Sequence, residues 1–139
     1  IQSRHASHPT LIKLMNHSYA EFTNFLLQER QATNMPPFSQ LALIKADAKQ
    51  SGAALNFLKR INMLSDEINS QFSEEINSIG PVPAPIEKRA GRFRTQLILK
   101  TKRKSTLQQF LYKLVIQVEK LVIPSGVRWS IDVDPIELV

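Results

Sequence analysis

The chain contains no cysteine, which excludes disulfide bonds, thiolate metal sites and cysteine nucleophiles. Only four of its 139 residues are glycine, and none belongs to a phosphate-binding GxGxxG or P-loop pattern. No apolar run approaches the ~20 residues that span a bilayer. The three histidines, His5, His8 and His17, lie near the N-terminus, where Pro9 opposes a shared helical face. We therefore expect neither self-contained catalysis nor metal binding.

The length of the chain is suited to one compact domain preceded by an arm. Its opening, IQSRHASHP, has neither an initiator Met nor the basic, apolar and small-residue pattern of a signal peptide. From this opening we expect a fragment of a longer protein.

Positive charge is concentrated in one segment. The net charge is +6, from 18 basic and 12 acidic residues. Residues 84–104 hold eight of the basic residues and one of the acidic ones, which leaves 10 and 11 elsewhere. A local basic patch indicates a polyanionic partner, and nucleic acid is favoured. An anionic membrane, an acidic peptide or a merely solvated hairpin and turn stay open as alternatives on charge alone.

The spacing of apolar residues predicts an α+β fold. A helix is expected from Thr10 to about Gln31 and is broken by Pro36 and Pro37. A strand, helix, strand, strand, helix and strand then follow over residues 38–46, 51–72, 75–82, 92–100, 107–122 and 127–133. This order is typical of a ferredoxin-like βαββαβ arrangement, a four-stranded antiparallel sheet with both helices on one face. The other face would be free to bind a ligand.

Within the basic segment, residues 84–91 are expected to form a loop and 92–100 a strand with two different faces. One face carries Phe93, Thr95, Leu97 and Leu99, and the other carries Arg92, Arg94, Gln96 and Lys100. Cations on one strand face can follow the phosphates of a nucleic acid. Phe93 and Trp129 share their faces with aliphatic residues, so core packing is favoured over base stacking for both.

Two smaller features bear on ligands. The cations of KTKRKS oppose the dipole of the helix predicted to begin near Thr106, which hints at an anion supplied from outside. Asp132 and Asp134 lie on one face at a strand end, as magnesium ligands do. A polar strand terminus, with pairing to Arg128, is the favoured interpretation of these two carboxylates.

Three segments carry a family resemblance: ERQATNMPPF, GPVPAPIEKRAGRFRTQLIL and RWSIDVDPIEL. Together they resemble the C-terminal region of the primosomal replication-restart helicase family (primosomal protein N′). The resemblance implies that residues 1–35 are the end of the second helicase lobe and its connecting helix, and that 36–139 are the C-terminal domain. It implies a parent that is an ATP-dependent 3′-to-5′ DNA helicase with ATP, Mg²⁺ and two zinc ions. None of those motifs lies in this chain, so a non-enzymatic fragment without cofactors is expected.

The same resemblance implies partners. They are forked and single-stranded DNA, the acidic C-terminal tail of single-stranded-DNA-binding protein, other primosome proteins and the rest of the helicase chain, in the bacterial cytoplasm and without a membrane. Lys88, Arg89, Arg92 and Arg94 match the basic motif of the family, and Lys104 and Gln108 match its tail-binding positions. The basic segment adds Lys100, Lys102 and Arg103 as expected DNA contacts. A scaffold that chiefly binds an acidic peptide, and an independent RNA-binding ribosomal-type protein, are the alternatives.

Overall fold

The computed structural model describes residues 4–16 and 19–136. The chain divides into two compact units, Ile1–Phe38 and Ser39–Val139, and we call the second the sheet unit. None of the helices in the described part of the chain is long and apolar enough to cross a membrane.

The first unit is helical. Its helices are α1 (Pro9–Asn16) and α2 (Tyr19–Ala32), where the apolar spacing predicts one continuous helix. Residues 17 and 18, and with them His17, lie outside the described residues. Lys13 Nζ of α1 lies 3.5 Å from the ring centre of Phe25 in α2. A cation–π contact therefore joins the two helices.

The sheet unit has the predicted βαββαβ order. Its elements are β1 (Gln40–Ala48), α3 (Ala53–Asn69), β2 (Asn77–Arg89), β3 (Arg92–Thr101), α4 (Lys104–Glu119) and β4 (Arg128–Val133). The four strands form one sheet in the order β2-β3-β1-β4, and every neighbouring pair is antiparallel. This strand order confirms the predicted α+β ferredoxin-like class.

Both helices pack on the same face of the sheet. Alternate residues of β1, from Ala42 to Ala48, share a buried cluster with the apolar stripes of α3 and α4. The centre of the cluster includes Phe57, Phe110 and Leu97, which are almost completely buried. Burial of such side chains is the main force that holds the helices on the sheet. Trp129 of β4 packs at its margin, 6.3 Å from the Phe57 ring centre, which confirms that it belongs to the core.

The opposite face of the sheet, which we call the open face, carries the other side of each strand. On β3 it presents Arg92, Arg94, Gln96 and Lys100, as the alternation predicts. Residues of β1 that lie opposite them in the register, such as Leu41 opposite Lys100 and Lys45 opposite Gln96, are on the same face. Helices α3 and α4 pack on the other side of the sheet. Leu41 and Leu43 of β1, which also belong to the open face, are nevertheless only 4% and 0% exposed, so this face is not fully free at β1, in contrast to the prediction.

The predicted basic loop at residues 84–91 is wrong. Strand β2 runs on to Arg89, and only Ala90 and Gly91 form the turn into β3. Both turn residues have positive φ, 49° and 73°, the backbone of the two-residue hairpin turn that matches strand twist. The prolines do not end β2 because it is an edge strand, where a missing N–H costs no ladder bond on the solvent side. Pairing resumes after register shifts between Ile79 and Val82 and between Pro83 and Lys88.

Candidate nucleic-acid interface

The open face brings together cations from three strands. Arg92, Arg94 and Lys100 come from β3, as the sequence predicts. Lys45 of β1 and Arg128 of β4 join them, because Lys45 lies opposite Gln96 and Asp47 lies opposite both Arg94 and Arg128. Sequence reasoning did not assign these two residues to the site. Lys45 and Asp47 alternate with alanines that are buried, and this alternation in the sequence predicts that Lys45 lies on the face away from the core.

Asp47 organises one end of the open face. Its Oδ1 accepts hydrogen bonds from Arg92 Nε and from Arg128, whose Nη2 lies 3.0 Å away. Arg92 also donates to the backbone oxygens of Asp47 and Gly126, at 3.1 and 2.7 Å. The Arg92 side chain is only 15% exposed, against 68% for Arg128. Arg92 therefore joins β1, β3 and the loop before β4, while Arg128 keeps donors directed to solvent.

The two arginines set the ionisation of Asp47. Partial burial raises the pKa of its carboxyl, but hydrogen bonds and charges from Arg92 and Arg128 outweigh this effect. The net result is a pKa below its ordinary value of 3.8. A lowered pKa means that the ionised carboxylate stabilises the fold above the unfolded-state pKa, and that this contribution is lost as pH falls through the folded-state pKa.

We expect Asp47→Asn to lower the free energy of unfolding by about 1–2 kcal/mol at pH 7, since it leaves a half-buried arginine without its carboxylate. The measurement is urea unfolding of the wild-type chain and the variant at several pH values. The difference between them should shrink toward zero at pH values below the folded-state pKa, where the wild-type carboxyl is also neutral. A difference that stays constant down to about pH 2 would contradict this role of the Asp47 charge.

Lys45 and Asp132 form the second ion pair of the open face. Lys45 Nζ donates to Asp132 Oδ2 at 3.1 Å across the β1–β4 pair. The predicted partner of the Asp132 region, Arg128, binds Asp47 instead, so that prediction is wrong. Its reason lies in the register, which sets Arg128 opposite Asp47 and Asp132 opposite Leu43. Within the described residues, no group of three or more His, Cys, Asp or Glu side chains could hold a metal ion.

The end of the β2–β3 hairpin adds two exposed cations. Lys88 and Arg89 are the last residues of β2, and both are exposed to solvent. Lys88 Nζ lies 4.9 Å from the ring centre of Phe93, which is within the range of a cation–π contact. Arg89 lies opposite Arg92. Lys88 lies opposite Phe93 and so shares the helical side of the sheet, whereas Arg89 shares the open face with Arg92. The hairpin end therefore presents one exposed cation on each side of the sheet.

Lys102 and Arg103 lie at the other end of β3. They line a cleft of about 450 Å³ together with Phe72, Ser73, Glu74, Thr106 and Gln109. Glu74 Oε2 accepts a hydrogen bond of 2.6 Å from Thr106 Oγ1 and lies 4.0 Å from Arg103 Nε. The sequence predicts that an anion from outside binds at the start of α4. The structure places the carboxylate of Glu74 there, so part of this negative charge comes from the chain itself.

Lys104 and Gln108, the expected tail-binding residues, occupy the first turns of α4. The helix begins at Lys104, two residues before the predicted start. Since Lys104 and Gln108 are four residues apart, they share one side of the helix, and both are exposed. They do not line the cleft beside Glu74, whose α4 residues are Thr106 and Gln109. The structure therefore separates the two tail residues from that cleft and from the cations of the open face.

Comparison with known proteins gives a consistent result. Residues 31–136 match the family model described as primosomal protein N C-terminal domain. The chain is 38% identical over 99% of its length to the replication restart protein PriA of Haemophilus influenzae, and 27% identical over 99% to that of a Synechocystis species. It is also 33% identical, over 82% of its length, to the PriA of Rickettsia typhi.

These alignments cover 18%, 16% and 16% of the respective relatives, so the chain spans less than a fifth of their length. Among solved structures, the de novo designed protein Foldit4 aligns with a TM-score of 0.46 and 13% identity, over 71% of this chain and 99% of its own. That similarity is too low to bear on function.

Proposed function

The chain belongs to the primosomal protein N C-terminal domain family, and we propose that it is a non-catalytic module that binds branched and single-stranded DNA. The observation that carries the proposal is the concentration of cations on the open face and at the hairpin end. Among the residues that the structure describes, five cations and two carboxylates share the open face, and two further cations lie at the hairpin end. A surface with this excess of positive charge gains affinity for DNA by releasing its counterions.

The individual cations would contribute differently. Lys88 and Arg89 are exposed and hold no ion pair among the described residues, so they are suited to phosphate contacts. Arg92 is committed to Asp47 and to two backbone oxygens, which suits it to positioning Asp47 and Arg128. Arg94 and Lys100 would extend the contact along β3, and Lys102 and Arg103 would continue it toward α4.

The parent protein would supply the chemistry. The resemblance implies an ATP-dependent 3′-to-5′ helicase that recognises abandoned replication forks and helps to reload the replicative helicase. In this proposal the chain binds the fork and its single-stranded arms, and the ATP, Mg²⁺ and zinc sites belong to other parts of the parent.

A direct titration tests the proposal. Fluorescence anisotropy of labelled forked, single-stranded and blunt duplex DNA would be followed as the chain is added. We expect forked and single-stranded DNA to bind, with affinity that falls steeply as salt rises. Absence of binding to all three DNAs at low salt would contradict the proposed function.

A second candidate function is binding of an acidic peptide, and the position of Lys104 and Gln108 favours it. Both residues project from the first turns of α4, where backbone N–H groups lack intrahelical partners and the helix dipole attracts anions. The residue before the helix, Arg103, provides no side-chain cap. The acidic C-terminal tail of single-stranded-DNA-binding protein is the proposed peptide.

We expect Lys104→Glu to weaken binding of that tail peptide about tenfold, because it replaces attraction by repulsion next to the helix N-terminus. Isothermal titration calorimetry with the peptide measures the effect. Lys120→Glu is the matched control, since it makes the same charge change just beyond the other end of α4. Peptide affinity that is equal in the two variants would remove Lys104 from the peptide site.

A further inference from the structure

Phe93 does not take part in the hydrophobic core of the sheet unit. It shares its strand face with Leu97 and Leu99, which are fully buried, so the sequence predicts core packing for it as well. In the structure Phe93 is only partly buried. It belongs neither to the buried cluster nor to the partly buried apolar side chains that pack against that cluster. Core packing therefore does not account for a large aromatic side chain at this position.

The surroundings of Phe93 are small side chains and one long cation. Phe93 is the second residue of β3, directly after the hairpin turn. It lies opposite Ala48 of β1 and opposite Lys88 of β2. The turn residues, Ala90 and Gly91, are also small. Among the described residues, no other aromatic ring contacts Phe93, so its ring is bounded mainly by Lys88.

The contact between Lys88 and the ring is one that a ligand can replace. Lys88 Nζ lies 4.9 Å from the ring centre of Phe93. At an exposed site such a cation–π contact favours the paired state only about two- to fivefold. Lys88 is exposed, forms no ion pair with a described residue and has a flexible four-carbon stem. Its ammonium group can therefore leave the ring at little cost.

The chemistry of the ring selects a flat ligand. The face of a phenyl ring carries partial negative charge, so it does not attract an isolated anion. A nucleobase stacks on such a face, and one stacked base strengthens binding about five- to 150-fold, which exceeds the effect of the cation–π contact that it replaces. The phosphate attached to that base offers the displaced ammonium group of Lys88 a new partner. A nucleotide therefore provides a partner for both side chains.

We propose that Phe93 and Lys88 form a stacking site for one base of single-stranded DNA, on the helical side of the hairpin end. Phe93 stacks on the base, and Lys88 binds its phosphate. Arg89, which is exposed on the opposite side of the sheet, binds a neighbouring phosphate. The DNA strand then passes over the turn at Ala90 and Gly91, where no long side chain obstructs it. The inference rests on the proposed DNA-binding function and adds a base contact to it.

The experiment compares two oligonucleotides with equal numbers of phosphates. One is an oligothymidylate of about 12 nucleotides, within the site size of common single-strand binding folds, and the other is an abasic oligomer of the same length. We expect the full chain to bind the oligothymidylate about tenfold more tightly, since one stacked base has an effect of that order. Anisotropy titration at fixed salt measures both affinities.

Two variants of the same residue locate the preference. Phe93→Leu keeps an apolar side chain but removes the aromatic ring, and it should reduce the preference for the oligothymidylate to less than about twofold. Its affinity for the abasic oligomer should stay within about twofold of the wild-type value, because no cation is lost. Phe93→Tyr is the matched control, since it keeps the ring and should keep the preference. Retained abasic binding also reports that each variant is folded.

The outcomes separate this inference from the proposed function. Equally tight binding of both oligomers by the wild-type chain overturns the stacking site and leaves DNA binding intact. A preference that survives Phe93→Leu overturns it as well, because the base is then bound elsewhere. Equal loss of the preference in Phe93→Leu and Phe93→Tyr shows that the ring is not its source. If neither oligomer binds, both the stacking site and the proposed function fail.

Discussion

Replacing Lys88, Arg89 and Arg94 together by Gln is expected to weaken binding of single-stranded and forked DNA about 100-fold at about 0.1 M salt. Each lost phosphate contact should also reduce the slope of log affinity against log salt by about 0.7 to 0.9, so three contacts should flatten it by about two or more. The physical reason is that fewer counterions are released from the DNA when the variant binds. Titrations at several salt concentrations measure both quantities.

The matched control removes three cations from the helical layer of the same unit: Lys59, Arg60 and Lys120, each changed to Gln. All three are exposed. They lie on α3 or just after α4, away from the open face, and their removal changes the net charge equally. We expect this control to weaken DNA binding only a few-fold through the general field of the protein. Equal losses in the two triple variants would mean that net charge, and not the open face and hairpin end, determines binding.

Gly80→Ala is expected to lower the free energy of unfolding by about 3 kcal/mol. Gly80 has φ of +109°, a backbone conformation that side chains rarely adopt. An added Cβ would also lie 2.9 Å from the backbone N of Val82 and 3.0 Å from the backbone O of Gln96. Neither backbone atom can move without disturbing the pairing of β2 with β3. Urea unfolding followed by circular dichroism measures the loss.

Gly91→Ala is the control for Gly80→Ala. Gly91 also has positive φ, +73°, but an added Cβ there meets no atom within 4 Å. Only the conformational cost of about 1 kcal/mol should remain. If the two variants are destabilised equally, close approach of the backbone at Gly80 is not the reason for glycine at that position.

The order of elements in the sheet unit could be predicted from sequence because it depends on local periodicity. The apolar stripe of α3, with Phe57, Leu58 and Ile61, repeats every three or four residues and is buried as expected. The extent of β2 could not be predicted in the same way. Local sequence alone predicts that a proline ends a strand. The prolines of β2 are tolerated because β2 is an edge strand. That position is a property of the whole sheet.

The sequence predicts which site residues share a face within one strand, but not which residues of different strands lie side by side. Alternation along β3 assigned Arg92, Arg94 and Lys100 to one face, and the structure has them there. The sequence did not predict Lys45 and Arg128 as parts of the site, because only the pairing of β1 with β3 and with β4 places them there. This pairing joins residues more than 40 positions apart. The same non-local register explains why Arg128 binds Asp47 and not Asp132.

The role of Arg92 changes most between sequence and structure. Its place in the basic motif predicts a DNA contact. In the folded chain its guanidinium joins Asp47 to the loop at Gly126, and its side chain is only 15% exposed. Sequence cannot distinguish a cation that faces solvent from one that a carboxylate on another strand neutralises.

DNA binding by the open face and the hairpin end is tested most directly by a nuclear magnetic resonance titration of the ¹⁵N-labelled chain with single-stranded DNA. If the open face and the hairpin end bind DNA, the side-chain resonances of Arg89, Arg94 and Gln96 will shift together with the backbone amides of Ala90 and Gly91. Amides on the exposed sides of α3 and α4 should stay unchanged. Shifts concentrated on those helices, with the open face and hairpin end unaffected, would contradict the central claim that this surface binds DNA.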